Sequence, residues 1–304
     1  MSASRKKNLA ASVRQRLLLV SQKREEPFDL ILVRYGIERL LYRLSQSAYA
    51  NHFLLQGAML FRVWTHSNHR PTRDVDLLGF GPAKTDELEQ IFRELCVLPV
   101  EPDGLVFQPT TVKAEPIRGD AIYGGIRVTL KVCLENAQIP LHSDIGFGDA
   151  VTPSPDEIEF PALLDFPVPR LRSYPTYTIV AEKLGAMVLL GETNSRMKDF
   201  YDLWFMSQRF DFDGRTLVEA IRATFVRRKT AIPEETPVAF TDTFLTIKAV
   251  QWNAFIRRSK LSEINIVQAM CTVRTFAGPP LLAASQRTDF FQNWSPNGPW
   301  YSIA

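Results

Sequence analysis

Cysteine and histidine are scarce in this chain, three and four respectively in 304 residues. Cys96, Cys133 and Cys271 are odd in number and far apart, with no zinc or redox spacing. A disulfide scaffold is therefore excluded, and a reducing compartment is expected. His66 and His69 form an H-x-x-H pair, but no cysteine or acidic ligand stands where it would complete a zinc site. Long apolar runs are also missing: none approaches the ~20 residues that cross a bilayer. The basic start MSASRKKNLAASVRQRLLLV is interrupted by Arg14 and Arg16 where a signal peptide needs an unbroken apolar core. A basic amphipathic helix over Met1 to Gln22 and a cytoplasmic protein without a membrane partner are expected. There is no Walker-type loop for phosphates and no G-x-S-x-G elbow for a serine nucleophile. Internal repeats and low-complexity tracts are absent as well.

What remains is an ordinary folded composition, 45% hydrophobic and 23% charged, with a net charge of +3. Such a mild excess permits an anionic partner without demanding one. The pattern changes along the chain in three steps. Residues 1–47 read as helical, with Ile37, Leu40, Leu41 and Leu44 forming one apolar stripe. Residues 48–170 alternate strand and helix signals. A strand is expected over Phe53 to Gln56, a short helix over Ala58 to Thr65 and a strand over Asp74 to Leu78. A helix capped by Thr85 or Asp86 follows, then strands near Val106, Val112 to Pro116, Ile126 to Leu134 and Leu141 to Ile145. Prolines punctuate a connector in FPALLDFPVPRLRSYP, and residues 171–304 read as helical almost to the end. The fold class is thus α/β: a small mixed sheet with helices, an N-terminal helical segment and a C-terminal helical domain.

The chemistry concentrates in RPTRDVDLLGFG. On a strand alternate side chains share a face, so Asp74 and Asp76 point the same way while Val75 and Leu77 point into the core. Two carboxylates fixed side by side suit a hard divalent cation such as Mg²⁺ or Mn²⁺. A solvated pair on an edge strand is the plainer alternative. A third carboxylate, Asp144, ends a later strand in LHSDIGFGDA and completes a metal cradle if the two strands are neighbours. Gly57, with Ala58, lies in a turn where backbone N–H groups can approach a phosphate. Arg70 and Thr72 are candidates to hold a triphosphate from the other side. A glycine turn, an Asp-x-Asp strand and a later aspartate follow the order of a DNA-polymerase-β-like nucleotidyltransferase core.

The segments LLQGAMLFRVWTHSNHRPTRDVDLLGFG, HSDIGFGDAVTP, TIVAEKLGAMV and NSRMKDFYDLW together resemble the AbiEii/AbiGii-type nucleotidyltransferases, toxin components of abortive-infection (type IV) toxin–antitoxin systems. The resemblance implies a polymerase-β-like core followed by a helical domain, a divalent metal, and a nucleoside triphosphate as substrate. It further implies nucleotide transfer to RNA, notably the tRNA acceptor end, and a cognate antitoxin acting as a repressor or as a kinase of the toxin. The phosphate turn departs from the family's Gly-Ser or Gly-Gly: it is Gly57-Ala58 here, without the hydroxyl.

In the helical part, Lys183 falls within the apolar stripe of Val180, Leu184, Met187 and Val188. A stem that packs while the ammonium snorkels to water is one reading; the resemblance implies a catalytic lysine aimed at phosphoryl charge. Asp199 and Asp202 favour a helix N-terminus through the macrodipole. The resemblance gives them an Asp-x-x-Asp motif that closes the active site, by positioning Lys183, a basic neighbour or the acceptor hydroxyl. Arg196 and Lys198 are candidate phosphate contacts. The basic clusters at Arg5-Lys6-Lys7, Arg227-Arg228-Lys229 and Arg257-Arg258 are solvated faces or a track for an RNA backbone. Transfer to a protein or small molecule, and a catalytically dead binding module, are the competing readings.

Overall fold

The structure, a computed structural model, describes residues 2–65, 69–70, 72–117 and 124–302, with backbone alone for residues 2–8. His66 and the side chains of Arg5, Lys6 and Lys7 lie outside the described residues. Two compact units emerge, Met1–Gly148 with Asp156–Ser173, and Asp149–Pro155 with Tyr174–Ala304.

The first unit begins with helices α1 (Ser2–Arg24) and α2 (Phe28–Ser45). The expected stripe of α2 is buried, Ile37, Leu40, Leu41 and Leu44 all among the core residues. So, unexpectedly, are three of its charges, Glu38, Arg39 and Arg43. Asp103 explains two of them: Arg39 Nε lies 3.1 Å and Arg43 Nη1 2.7 Å from its carboxylate, and Tyr35 donates to its carbonyl at 2.7 Å. Buried charges persist only when paired and hydrogen-bonded in this way.

Strand β1 (Phe53–Gln56), helix α3 (Met59–Thr65), strand β2 (Asp74–Gly79) and helix α4 (Thr85–Val97) follow where the sequence pattern puts them. The cap expected from Thr85 or Asp86 is not made: both lie inside the helix, Lys84 stands at the N-cap, and no side chain closes it. The two strands expected near Val106 and Val112 are one, β3 (Val106–Pro116), with an irregularity between Gln108 and Lys113. Pro109 has no N–H for the ladder, and Thr111 bridges the gap, donating to Gln108 O and accepting from Lys131 N. Strands β4 (Gly125–Leu134) and β5 (Ala137–Phe147) form a long antiparallel pair. Ile126, Val128, Leu130, Val132 and Leu134 line the buried face of β4, so Arg127 and its alternates face the other way.

The connector read as irregular carries β7 (Arg170–Ser173), paired with β6 (Asp156–Glu159). Four-residue strands flanked by prolines leave too short an alternation to recognise. The seven strands run in the order β3-β4-β5-β2-β1-β7-β6, with β5–β2 and β1–β7 parallel and the other pairs antiparallel. Among the described residues, no helix is long and apolar enough to cross a membrane.

The second unit is built on helices α5 (Thr176–Leu190), α6 (Met197–Arg209), α7 (Gly214–Arg227), α8 (Asp242–Arg258) and α9 (Ile266–Gln286). Helix does not continue to the end. A small sheet joins β8 (Phe212–Asp213), β9 (Gln292–Trp294) and β10 (Trp300–Ser302). Its aromatics seal the unit: Trp300 stacks on Phe276 at 6.1 Å, and Trp294 Nε1 donates to Ser207 O.

Candidate active site

The polar face of the seven-stranded sheet collects the aspartates. Asp76 on β2 stands in register with Asp144 on β5, and Asp144 in turn with Arg127 on β4. Gln56 on β1 extends the row beyond Asp76. One transverse line, Gln56–Asp76–Asp144–Arg127, therefore crosses four strands spaced about 4.8 Å apart. Asp74 belongs to the next row, opposite His142, whose Nδ1 lies 3.4 Å from its carboxylate. The three aspartates expected to form a cradle thus sit on adjacent strands and one face.

Arg127 holds Asp144 through two parallel bonds, Nε and Nη2 each 2.7 Å from a carboxylate oxygen. That hydrogen bonding outweighs partial burial, and with the negative field of Asp144, Asp74 and Asp76 it raises the guanidinium's pKa above its ordinary value. Carboxylate oxygens are the donor type that a hard divalent cation takes. Among the described residues no three His, Cys, Asp or Glu side chains are gathered as a finished ligand set; Asp144 has both oxygens on Arg127.

Gly57 adopts φ +75°, and a Cβ built there would meet Asp76 Oδ2 at 2.1 Å. The backbone turn thus passes directly against the central carboxylate, which only glycine allows. Ala58 is buried behind it. Thr72 Oγ1 donates to Asp74 O at 3.2 Å and so fastens the entry to β2. Arg70 and Thr72 line a cavity beside Ala58 and Met59, together with Arg34, Arg62 and His69. His69 is buried and stacked on Phe61 with centroids 4.0 Å apart.

Lys183, Asp199 and Asp202 meet within the second unit. The ammonium lies 2.8 Å from Asp199 and 2.6 Å from Asp202, with 14% of the lysine side chain exposed. It does not snorkel: it is drawn inward by two buried carboxylates on α6. Burial alone would raise the Asp199 carboxyl, but Lys183 and Arg196 outweigh it and hold the pKa below its ordinary value. Arg196 Nε is 2.6 Å from Asp199, while Lys198 is exposed. Both members of the Asp-x-x-Asp pair therefore position Lys183, and Asp199 also holds Arg196.

Two residues escaped the sequence reading. Arg127 lies in no motif, and His142, though inside HSDIGFGDAVTP, gives no sign there of its role; the strand register brings both to the aspartates. One expectation is corrected. Arg228, proposed for an RNA track, is turned inward with 11% of its side chain exposed, 3.2 Å from Glu182 and 3.6 Å from Asp149. It also donates to the Glu182 carbonyl at 3.1 Å. A guanidinium committed to this buried cluster is not on offer to a phosphate.

A mixed α/β sheet with carboxylates aligned across its central strands, followed by a helical unit, has the architecture of a nucleotidyltransferase. The family model described as "Nucleotidyl transferase AbiEii toxin, Type IV TA system" matches residues 39–273, well over half of the chain. The chain belongs to this family of type IV toxin–antitoxin nucleotidyltransferases. Among solved structures, JHP933 from Helicobacter pylori is similar at 12% identity and TM-score 0.43, over 82% of this chain and 88% of that one. A second H. pylori protein, described provisionally as a nucleotidyltransferase, is similar at 12% identity and TM-score 0.41, over 82% and 91%. No curated protein matches the sequence.

Proposed function

We propose that this nucleotidyltransferase is metal-dependent and adds nucleotides from an NTP to the 3′ end of tRNA, in the cytoplasm, blocking translation. The observation that carries the metal reading is the register of Asp76 with Asp144, with Asp74 on the same face. Asp74, Asp76 and Asp144 would hold Mg²⁺ or Mn²⁺, which when bound neutralises phosphate charge and lowers the pKa of an attacking hydroxyl. The rigid strands fix the carboxylates before substrate arrives, so little ordering remains for the reaction. The Gly57-Ala58 turn offers backbone N–H groups to a triphosphate, and Arg70 and Thr72 flank it in the adjacent cavity. Lys183 is oriented by Asp199 and Asp202 and supplies positive charge toward the transferring phosphoryl group, with Arg196 and Lys198 as further phosphate contacts. The acceptor hydroxyl attacks the α-phosphate in line, a phosphodiester bond forms, and pyrophosphate leaves.

Membership of a type IV system implies an antitoxin partner. The acceptor is tested by incubating the protein with total RNA and each radiolabelled NTP in turn, with Mg²⁺. Label running with tRNA is expected. Label running with a protein or a small molecule instead contradicts the RNA assignment and leaves the transferase chemistry in place.

A further inference from the structure

Arg127 is placed as an ordinary cross-strand ion pair would be, opposite Asp144 on the neighbouring strand. As a stabilising device it contributes little: 44% of its side chain is exposed, and solvent screens such a pair. Its position among the carboxylates says more. Both oxygens of Asp144 are engaged, each through one of its lone pairs, so a cation bound there competes with the guanidinium for the same charge. Without Arg127, Asp144 would stand in register beside Asp76 with two like charges on adjacent strands. Arg127 also keeps Nη1 without an acceptor among the described residues, and a guanidinium fork matches phosphate oxygens as well as it matches a carboxylate.

We propose that Arg127 couples metal binding to nucleotide binding: it holds Asp144 while the site awaits substrate, and exchanges that carboxylate for a nucleotide phosphate when a divalent cation takes Asp144. The proposal rests on the metal-dependent reading above. It makes Arg127 a ligand-exchange residue, outside every motif of the chain. A cation alone must compete with the guanidinium. A triphosphate arriving with its cation relieves that competition and gives the displaced guanidinium a new anion. Metal and nucleotide then bind cooperatively, each strengthening the other by the same factor, as linkage requires.

The test is direct binding of Mn²⁺, followed by electron paramagnetic resonance, to the full chain alone and with each of four α,β-methylene nucleoside triphosphates. In the native protein the cognate analogue should tighten Mn²⁺ binding by roughly tenfold, within the usual range of coupling. Arg127→Met should bind Mn²⁺ alone about fivefold tighter, as expected for losing an exposed competitor. Its coupling to nucleotide should shrink toward one. Arg127→Lys keeps the charge but cannot fork; it should fall between the two, and it decides the matter if the methionine variant does not fold. Measurable but equal Mn²⁺ affinities and coupling in native and variant proteins overturn the role of Arg127 alone. Absence of Mn²⁺ binding in every protein overturns the metal reading and this proposal with it.

Discussion

The carboxylate of Asp76 occupies the space into which a Cβ at position 57 would project, 2.1 Å from where that atom would sit. Glycine is thus demanded twice at this turn, by the left-handed φ of +75° and by the aspartate. Gly57→Ala should lose about 1–2 kcal/mol from the backbone alone, a drop of a few degrees in Tm. Transfer should fall far more, because Asp76 must move to make room. Melting and single-turnover assays of one preparation check this; unchanged turnover would show that the turn does not set the carboxylate.

Lys183 gives a prediction opposite to that for a surface lysine. Lys183→Met takes the shared ammonium away from two buried carboxylates, and breaking such a pair costs about 3–5 kcal/mol. The pH dependence should change sign with it. In the native protein Asp199 is held below its ordinary pKa, so its contribution is present above the unfolded value and is lost as pH falls through the folded one. Once the ammonium is gone, burial dominates and raises the Asp199 carboxyl. The variant should then gain stability as pH falls toward the carboxylate range. Denaturant melts between pH 4 and 8 distinguish the two slopes, and Lys183→Arg, which keeps the charge, should retain most of the native stability.

Glu38 titrates the other way. Burial, only partly offset by the Leu163 N–H and Arg39, pushes its carboxyl up to about 7. A carboxyl raised on folding contributes stability at low pH that is lost as pH rises from the unfolded value through the folded one. One such proton changes stability by at most about 1.4 kcal/mol per pH unit. Glu38→Gln should therefore flatten the decline in Tm between about pH 4.5 and 7 and make the protein more stable at pH 8. A parallel curve for the variant would place the titration elsewhere, with Glu182, also raised by desolvation, as the next group to examine.

Arg228 and its neighbour Arg227 should separate cleanly. Arg228→Ala removes the counter-charge of Glu182 and Asp149 and should destabilise the protein by about 3–5 kcal/mol. Arg227 is exposed, and Arg227→Ala should leave stability within about 0.5 kcal/mol of native. If Arg227 touches an RNA phosphate, that variant alone should lower the log–log salt slope of tRNA binding, by about 0.7. Equal Tm values for the two variants would contradict the buried role of Arg228.

Local pattern carried far in this chain, and its reach ends where partners are distant in sequence. Period-two alternation fixes which faces of β2, β4 and β5 are buried, so the shared face of Asp74 and Asp76 was legible. That β5 inserts beside β2, with β3 and β4 lying between them in sequence, is a matter of register that no local signal encodes. Arg127 and His142 stayed invisible for this reason. The apolar stripe of α5 was legible, whereas the inward turn of Lys183 depends on carboxylates supplied by α6. Short strands such as β7, β9 and β10 carry too few residues to show a period. The buried charges of α2 look like a solvated face until Asp103 is brought against them.

The most direct test of the account removes one charge from the carboxylate row. Asp76→Asn keeps the shape of the side chain and relieves repulsion with Asp74 and Asp144. Folded protein with a native-like melt is expected to lose Mn²⁺ binding and transfer of labelled nucleotide to RNA together, while native protein under identical conditions shows both. Undiminished transfer by folded Asp76→Asn protein would contradict the metal role of the row and, with it, the assignment of this sheet face as the active site.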